Sequence, residues 1–252
     1  VSAWRSWSFA HDGRLLPGRH DEGVSGALPA TESPVIYNGQ PVADESRVRW
    51  LWRLVPYLDA PERALWAGAH RDFYRNAITS DTTGFYTATL HPSFGINAEW
   101  LGGMQSNDSD TWTLSQFIQS QDEGARPLFA ETISRLKRPA ELVAFASSRG
   151  LHSDSHGGSG RPVEGWWRLS SPYRITGSGS EAAWARDDNG NWVVPDEASD
   201  PASSGFVSAR HGGKVVIAAP DGAVHREAFE ELTDMLRWSD DATHRDWAPT
   251  LP

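Results

Sequence analysis

Phe206-Val-Ser-Ala-Arg-His-Gly-Gly-Lys-Val-Val-Ile-Ala-Ala219 sets two short β-prone runs, 206–209 and 214–219, on either side of His211-Gly212-Gly213. Val, Ile and Phe suit a pleated, half-buried surface, and Gly-Gly supplies the positive φ that a tight hairpin turn needs. The same alternation of apolar run and turn recurs upstream, at 166–169, 173–176, 182–186 and 192–194, with Asp188-Asn189-Gly190-Asn191 between the last two. Such spacing predicts a mainly antiparallel C-terminal sheet. Downstream, Asp221 can cap a helix to Trp238 with Phe229, Leu232 and Leu236 inward, joined by Met235.

Before this region the pattern reads differently. Trp4 to Phe9 alternates as a strand does, and Val35-Ile36-Tyr37, Asn38-Gly39 and Pro41-Val42 form a hairpin signal. A helix is expected from Asp44 or Ser46 to Arg53 or Leu58, with Val48, Leu51, Trp52 and Val55 apolar. Asp59, Pro61 and Glu62 open another, to about Ile78, burying Leu65, Trp66, Ala69, Phe73 and Ala77. Gly84 to His91 reads as a strand; Thr111 or Thr113 to Ser120, Pro127 to Lys137 and Pro139 to Ser148 read as helices. The fold class is therefore α+β: a helical middle region packed with a mainly antiparallel C-terminal sheet and a late amphipathic helix. Residues 1–252 are read as a single domain, with an alternative division into 1–150 and 162–252 at the Gly- and Ser-rich break between them.

Composition narrows the function classes. The chain has 252 residues, 38% hydrophobic and 11% aromatic, enough for a sizeable core and too apolar for disorder. No run approaches the roughly 18 apolar residues of a membrane span, so no transmembrane segment is expected. The net charge of −10 argues against general nucleic-acid binding or attachment to an anionic membrane. The basic residues are 21 Arg and 2 Lys, a bias read chiefly as codon usage. Cys is absent, which removes disulfides, thiolate nucleophiles and thiolate metal sites. A soluble, cytoplasmic setting is favoured over a secreted one. The chain opens on Val1 and has no signal-peptide pattern, so loss of Met or of a longer leader is expected.

Thirteen residues are Trp, each a wide apolar face with one N–H that needs a partner. The adjacent pair Trp166-Trp167 must point to opposite faces if extended. Trp167 shares phase with Leu169 and is expected inward. Trp166 shares phase with Arg168 and is the candidate binding residue, meeting solvent, a ligand or a partner.

The densest chemistry is His152, Asp154 and His156, at spacings of two and four among glycines. Neutral imidazole and carboxylate suit zinc or a similar divalent metal, so these three are candidate metal ligands. The alternative is a solvated polar loop. His70 or His91 could serve as a general base if the fold brings either to a carboxylate. Arg47, Arg49 and Arg53 read as a solvated helix face.

Two local likenesses stand beside these readings. Gly212-Gly213-Lys214-Val215 followed by Arg226-Glu227-Ala228-Phe229-Glu230-Glu231 resembles part of the Nudix hydrolase box, which implies divalent metal and a diphosphate. It covers fewer than 30 residues, lacks an acidic residue in 216–219 and is one residue short in register; an acidic solvent face on an amphipathic helix is preferred. Pro162 to Ala185, with its Trp-Trp-Arg-Leu-Ser and Tyr-Arg-Ile-Thr-Gly-Ser-Gly, resembles the middle β-domain of acyl-CoA dehydrogenase-type flavin hydroxylases. The chain has no room for the helical bundle that holds FAD there, and a glycine-turned hairpin explains the pattern. No P-loop, Rossmann fingerprint or Gly-x-Ser-x-Gly elbow is present.

Two function classes follow. One is a small-molecule-binding protein or enzyme, including a metal-assisted hydrolase. Its aromatic-lined pocket would lie between the helical middle and the sheet, with His152, Asp154 or His156 at the mouth. The other is a noncatalytic interaction or assembly subunit that uses Trp residues as anchors for a protein partner.

Overall fold

A four-stranded antiparallel sheet organises the computed structural model, in the order β10-β9-β4-β3. The structure describes residues 1–19, 36–37, 40–42, 44–68, 70–71, 74, 82–104, 129–152, 160–176 and 179–248. The strands are β3 (Phe94–Ile96), β4 (Phe145–Ser147), β9 (Lys214–Ala218) and β10 (Val224–Ala228). Three two-stranded pairs accompany them: β1 (Ile36–Tyr37) with β2 (Gln40–Pro41), β5 (Arg149–His152) with β6 (Arg161–Glu164), and β7 (Tyr173–Thr176) with β8 (Gly179–Ala182). The helices are α1 (Ser2–Ala10), α2 (Asp44–Arg47), α3 (Trp50–Leu54), α4 (Pro61–Leu65) and α5 (Thr82–Leu90). This is the expected α+β class, with helices on the N-terminal side and an antiparallel sheet.

Register assigns the two faces of the sheet. Phe145 pairs with Ala218 and with Ile96, and all three join an apolar cluster with the N-terminal helices. Ala146 pairs with Ile217, and both join a second cluster with Trp184, Phe229, Leu232, Met235 and Trp238. Period-2 alternation thus separates a helical layer from a layer of turns and loops. The apolar sides of the expected helices imply one core shared by Trp66, Phe73, Leu128, Phe129, Ile133, Phe229, Leu232 and Leu236; instead Trp66 and Ile133 belong to one cluster and Phe229, Leu232 and Leu236 to the other, on opposite faces. Phe73 and Leu128 lie outside the described residues.

Several elements differ from expectation. Residues 2–10 form a helix, because Trp4 and Trp7, three apart, can share one helix face and are both buried with Ala3 and Ser8. The helix expected from 44 onward breaks at extended Arg49 into α2 and α3. Arg49 is buried, not solvated, with its guanidinium over the rings of Tyr86 and Trp167. The helix from Pro61 stops at Leu65, where Trp66 turns extended. Residues 82–90 are helical although Tyr, Thr and Phe favour strands; buried Gly84, Ala88 and Thr89 and a Thr89 hydroxyl bond to the Ser46 carbonyl (3.1 Å) hold that helix to α2. Of the helix expected over 127–137 only a 3-10 turn at Ile133–Arg135 is described, and residues 139–148 give a turn and then β4. The run from Leu142 to Ser148 is buried throughout, and periodicity cannot tell such a strand from a buried helix. The helix expected at 111–120 lies outside the described residues.

The late amphipathic helix is replaced by β10 and two 3-10 turns, Phe229–Thr233 and Met235–Arg237. Phe229, Leu232, Met235 and Trp238 are all buried, and their interval of three is the period of a 3-10 helix. The inward residues were legible; the hydrogen-bond pattern was not. This also undoes the Nudix likeness, since Arg226 and Glu227 lie on a strand and Glu227 is bonded by Arg237 and His225. Run 206–209 does not pair along β9 as a hairpin arm; it bridges to Ser148 through Val207. The expected 182–186 strand is instead β8 ending at Ala182, followed by a single bridge from Arg186 to Trp192.

Candidate functional site

Gly165 sits where the chain leaves β6, at φ +91, a conformation that favours glycine. A Cβ there would come within 2.7 Å of His70 Cε1 and of the His91 and Pro92 carbonyls. The absence of that carbon lets three segments converge: His70 after α4, His91 at the end of α5, and the β5–β6 hairpin. Ser148 fixes the turn. Its carbonyl accepts the Gly165 N–H (2.8 Å), and its Oγ both accepts the Trp166 N–H and donates to the Trp166 carbonyl (2.9 Å each).

Trp166 is half-buried and forms the centre of the cluster. One face stacks on Phe206, with ring centres 5.1 Å apart and planes at 23°. Gly150 lies against the ring so closely that a Cβ would stand 2.4 Å from Trp166 Cε3. His91 meets the indole edge-on at 5.4 Å. Phe206 holds its stacking position at φ 65, which costs a non-glycine residue about 1–3 kcal/mol. Its carbonyl is held by the Arg149 N–H (2.9 Å), and the Arg149 guanidinium is anchored on the carbonyls of Asp196, Glu197 and Ser199. The Trp166 indole N–H is buried and has no hydrogen-bond acceptor among the described residues. A donor left so costs about 1–3 kcal/mol, so the position favours an incoming acceptor. Trp4 and Trp66 share that feature, but they are wholly buried in the core.

Three imidazoles line the site. His91 is buried and donates Nδ1–H to the Gly165 carbonyl at 3.0 Å, so in the neutral ring Nε2 keeps its lone pair. Burial pushes its pKa down to about 4, with the Gly165 bond opposing and His152 and Arg49 assisting. His70 Nδ1 pairs with Ser93 Oγ at 3.0 Å, and that oxygen also accepts the Ala67 N–H. Burial, then His91 and Arg210, push the His70 pKa down to about 3. His152 ends β5, half-buried, with its ring centre 5.6 Å from that of His91. Arg210 closes one side by donating to the Ser93 (3.0 Å) and Ser148 (2.9 Å) carbonyls and to Glu164.

The sequence-derived candidates divide accordingly. His152 and Trp166 come together; Asp154 and His156 lie outside the described residues. Among the described residues no three His, Asp or Glu side chains gather as a metal site. Trp167 is buried and Trp166 partly buried, but the strand expected at 166–169 does not form: Trp167 lies in a bend, Arg168 makes one bridge to Ile96, and both indoles pack on the same apolar cluster. For the general-base expectation, the Nδ1 partners among the described residues are a serine hydroxyl for His70 and a backbone carbonyl for His91. Sequence reasoning missed the pairing of His91 with His152, which are 61 positions apart and joined only through the turn at Gly165. Comparison with known protein families, curated proteins and solved structures finds no match for the chain. Among the described residues no helix is long and apolar enough to cross a membrane.

Two neutral histidines, buried His91 and partly buried His70, make stability depend on pH. Both have folded values below the ordinary 6.5. Between those values and 6.5 the unfolded chain holds protons that the folded one excludes. Stability is therefore expected to be complete above pH 6.5. It should be lost as the pH falls toward about 4 for His91 and about 3 for His70. Urea midpoints in metal-free buffer test this. A midpoint level from about pH 7 to about pH 5, or the same slope in His70→Gln, contradicts it.

Proposed function

We propose that this protein is a binding protein whose recognition site is the indole–imidazole cluster of Trp166, His91 and His152. What carries the reading is Trp166. It is half-exposed and clamped between Phe206 and Gly150, and its buried indole N–H has no acceptor among the described residues. An aromatic face fixed in this way loses little entropy on binding, and the N–H gives orientation to a ligand carrying a carboxylate, phosphate or amide oxygen. Asp154 and His156 stay in this reading by their place in the sequence, between β5 and β6. The same view treats 1–252 as one domain, because the two apolar clusters share the faces of a single sheet.

The test is an NMR titration of the thirteen indole N–H resonances with small carboxylates, phosphates and amides. The Trp166 resonance is identified by its loss in Trp166→Phe. It is expected to move, and the wholly buried indoles to stay. A panel that leaves Trp166 unmoved sinks the reading.

One observation favours a protein partner as the ligand. Leu151 is exposed and pairs across the hairpin with exposed Pro162, giving an apolar margin next to His152. In that case Leu151→Asp weakens partner capture without lowering the melting temperature.

A further inference from the structure

We infer that His91 and His152 together hold a late first-row divalent transition-metal ion, with His91 Nε2 as the fixed ligand and His152 as the one nearer solvent. This rests on the proposed recognition site and names the ligand it takes.

The geometry of the pair fits. Two imidazoles on one tetrahedral ion, each at about 2.0–2.1 Å, place their ring centres roughly 5 Å apart. The two rings lie 5.6 Å apart with planes at 75°.

The outer partner of His91 also fits. A ligating histidine normally donates its other ring N–H to a carbonyl or carboxylate, which fixes the tautomer and aims the lone pair. His91 does so through Nδ1–H to the Gly165 carbonyl at 3.0 Å. That carbonyl is itself placed by the positive φ of Gly165 and by the two bonds between Ser148 and Trp166. The ligand is thus held by three elements and has little freedom to lose on binding.

The donor set selects the ion. Imidazole nitrogen without thiolate suits copper, nickel and zinc; magnesium and calcium need oxygen ligands. Two protein ligands leave coordination positions open, which water or the acceptor group of a small molecule fills. The Trp166 indole is in contact with His91, so an ion on His91 and an acceptor ligand on the indole would be neighbours. Metal and acceptor ligand would then share one site.

The experiment uses the whole chain without a His tag, titrated calorimetrically with Zn²⁺, Ni²⁺ and Cu²⁺, with Mg²⁺ and Ca²⁺ as controls. Trp166 serves as an internal reporter, because Cu²⁺ quenches an indole at this distance. The reporter signal is the quenching lost in Trp166→Phe. One equivalent of Zn²⁺, Ni²⁺ or Cu²⁺ is expected to bind, with no heat from Mg²⁺ or Ca²⁺. His152→Ala should weaken binding by about 10- to 100-fold or more, since loss of an outer partner alone costs that much. His91→Asn keeps a donor for the Gly165 carbonyl, removes the Nε2 ligand and should have the same effect. His91→Gln provides a second variant if the first does not fold.

Undiminished binding in both His152→Ala and His91→Asn overturns the inference. So does binding abolished by His156→Ala yet retained in His91→Asn, which would place the ion on the loop alone. If Trp166 responds to carboxylates or phosphates but no metal binds, the recognition site stands and this inference fails. If metal binds through both histidines while the Trp166 resonance ignores every acceptor, the inference stands and the recognition reading fails.

Discussion

Phe229→Ala is expected to destabilise the fold by about 3–5 kcal/mol, the range for deleting a buried aromatic ring. Phe229 is 1% exposed and stacks on Trp184, with ring centres 5.0 Å apart and planes at 24°. Trp184 in turn meets Trp238 edge-on at 5.8 Å, and Leu232 and Met235 fill the space between. These neighbours are pinned. The Trp184 indole N–H donates to the Ser170 carbonyl (2.8 Å), and that of Trp238 donates to the Leu232 carbonyl (2.7 Å). Pinned rings cannot collapse into the space, so the cost should fall toward the upper end of the range. Glu230→Ala, one residue on and exposed, should stay within about 0.5 kcal/mol of the parent. The measurement is the urea midpoint of each variant. Equal midpoints for the two would mean that the turns at 229–237 do not form the second core.

The same residues show what the sequence reveals and what it withholds. An inward set at 229, 232 and 235 follows from hydrophobicity, and it fits an α-helix or a 3-10 turn almost equally over so short a run. The choice was made by β10, which removes residues 224–228 to the sheet edge and leaves only short turns behind. Gly84 to Leu90 and Leu142 to Ser148 are the converse cases. The first has strand-like composition and the second helix-like composition, and each adopts the other structure. Contacts distant in sequence decide both: α2 holds the first as a helix, and β3 and β9 hold the second as a strand. Local turn chemistry does better but not uniformly: the 36–41 and 173–182 pairs form at their glycine-containing turns, whereas 206–209 does not pair with β9 across His211-Gly212-Gly213 and 186–192 keeps one bridge.

The candidate site was half legible for a similar reason. Trp166 and His152 stand out because an unusual residue type or spacing marks them in the chain. His91 carries no such mark. Its role comes from the Gly165 turn, which brings the end of α5 against the β5–β6 hairpin, and no local pattern encodes that approach. Arg49 is the clearest misreading by charge. An arginine between aromatic residues reads as solvated, yet here the Tyr86 and Trp167 rings cover its guanidinium.

Trp167→Ala is expected to cost about 3–5 kcal/mol, and Trp166→Ala clearly less, although the two are neighbours in the chain. They differ in depth: Trp167 belongs to the core, while Trp166 packs against its margin. Trp167 is 5% exposed and lies in the helical-face core beneath Arg49 and Arg168. Its backbone also ties the layers together. Its N–H donates to the Leu90 carbonyl (2.9 Å), and its carbonyl accepts from the Ile96 N–H (3.2 Å) and the Trp50 indole (2.5 Å). Alanine keeps those backbone bonds but leaves a cavity where α3, α5 and β3 meet, and it uncovers the face of a buried guanidinium. Trp166 is only partly buried at the margin of that core, and its truncation removes the stack on Phe206 and the edge contact with His91 while opening less of the core. The two variants should therefore separate stability from recognition: Trp167→Ala lowers the melting temperature by several degrees or more, while Trp166→Ala loses ligand response at a nearly native melting temperature. Comparable melting losses for both would place Trp166 in the core and remove it as a recognition residue. A larger loss for Trp166 would reverse the phase of the 166–169 segment.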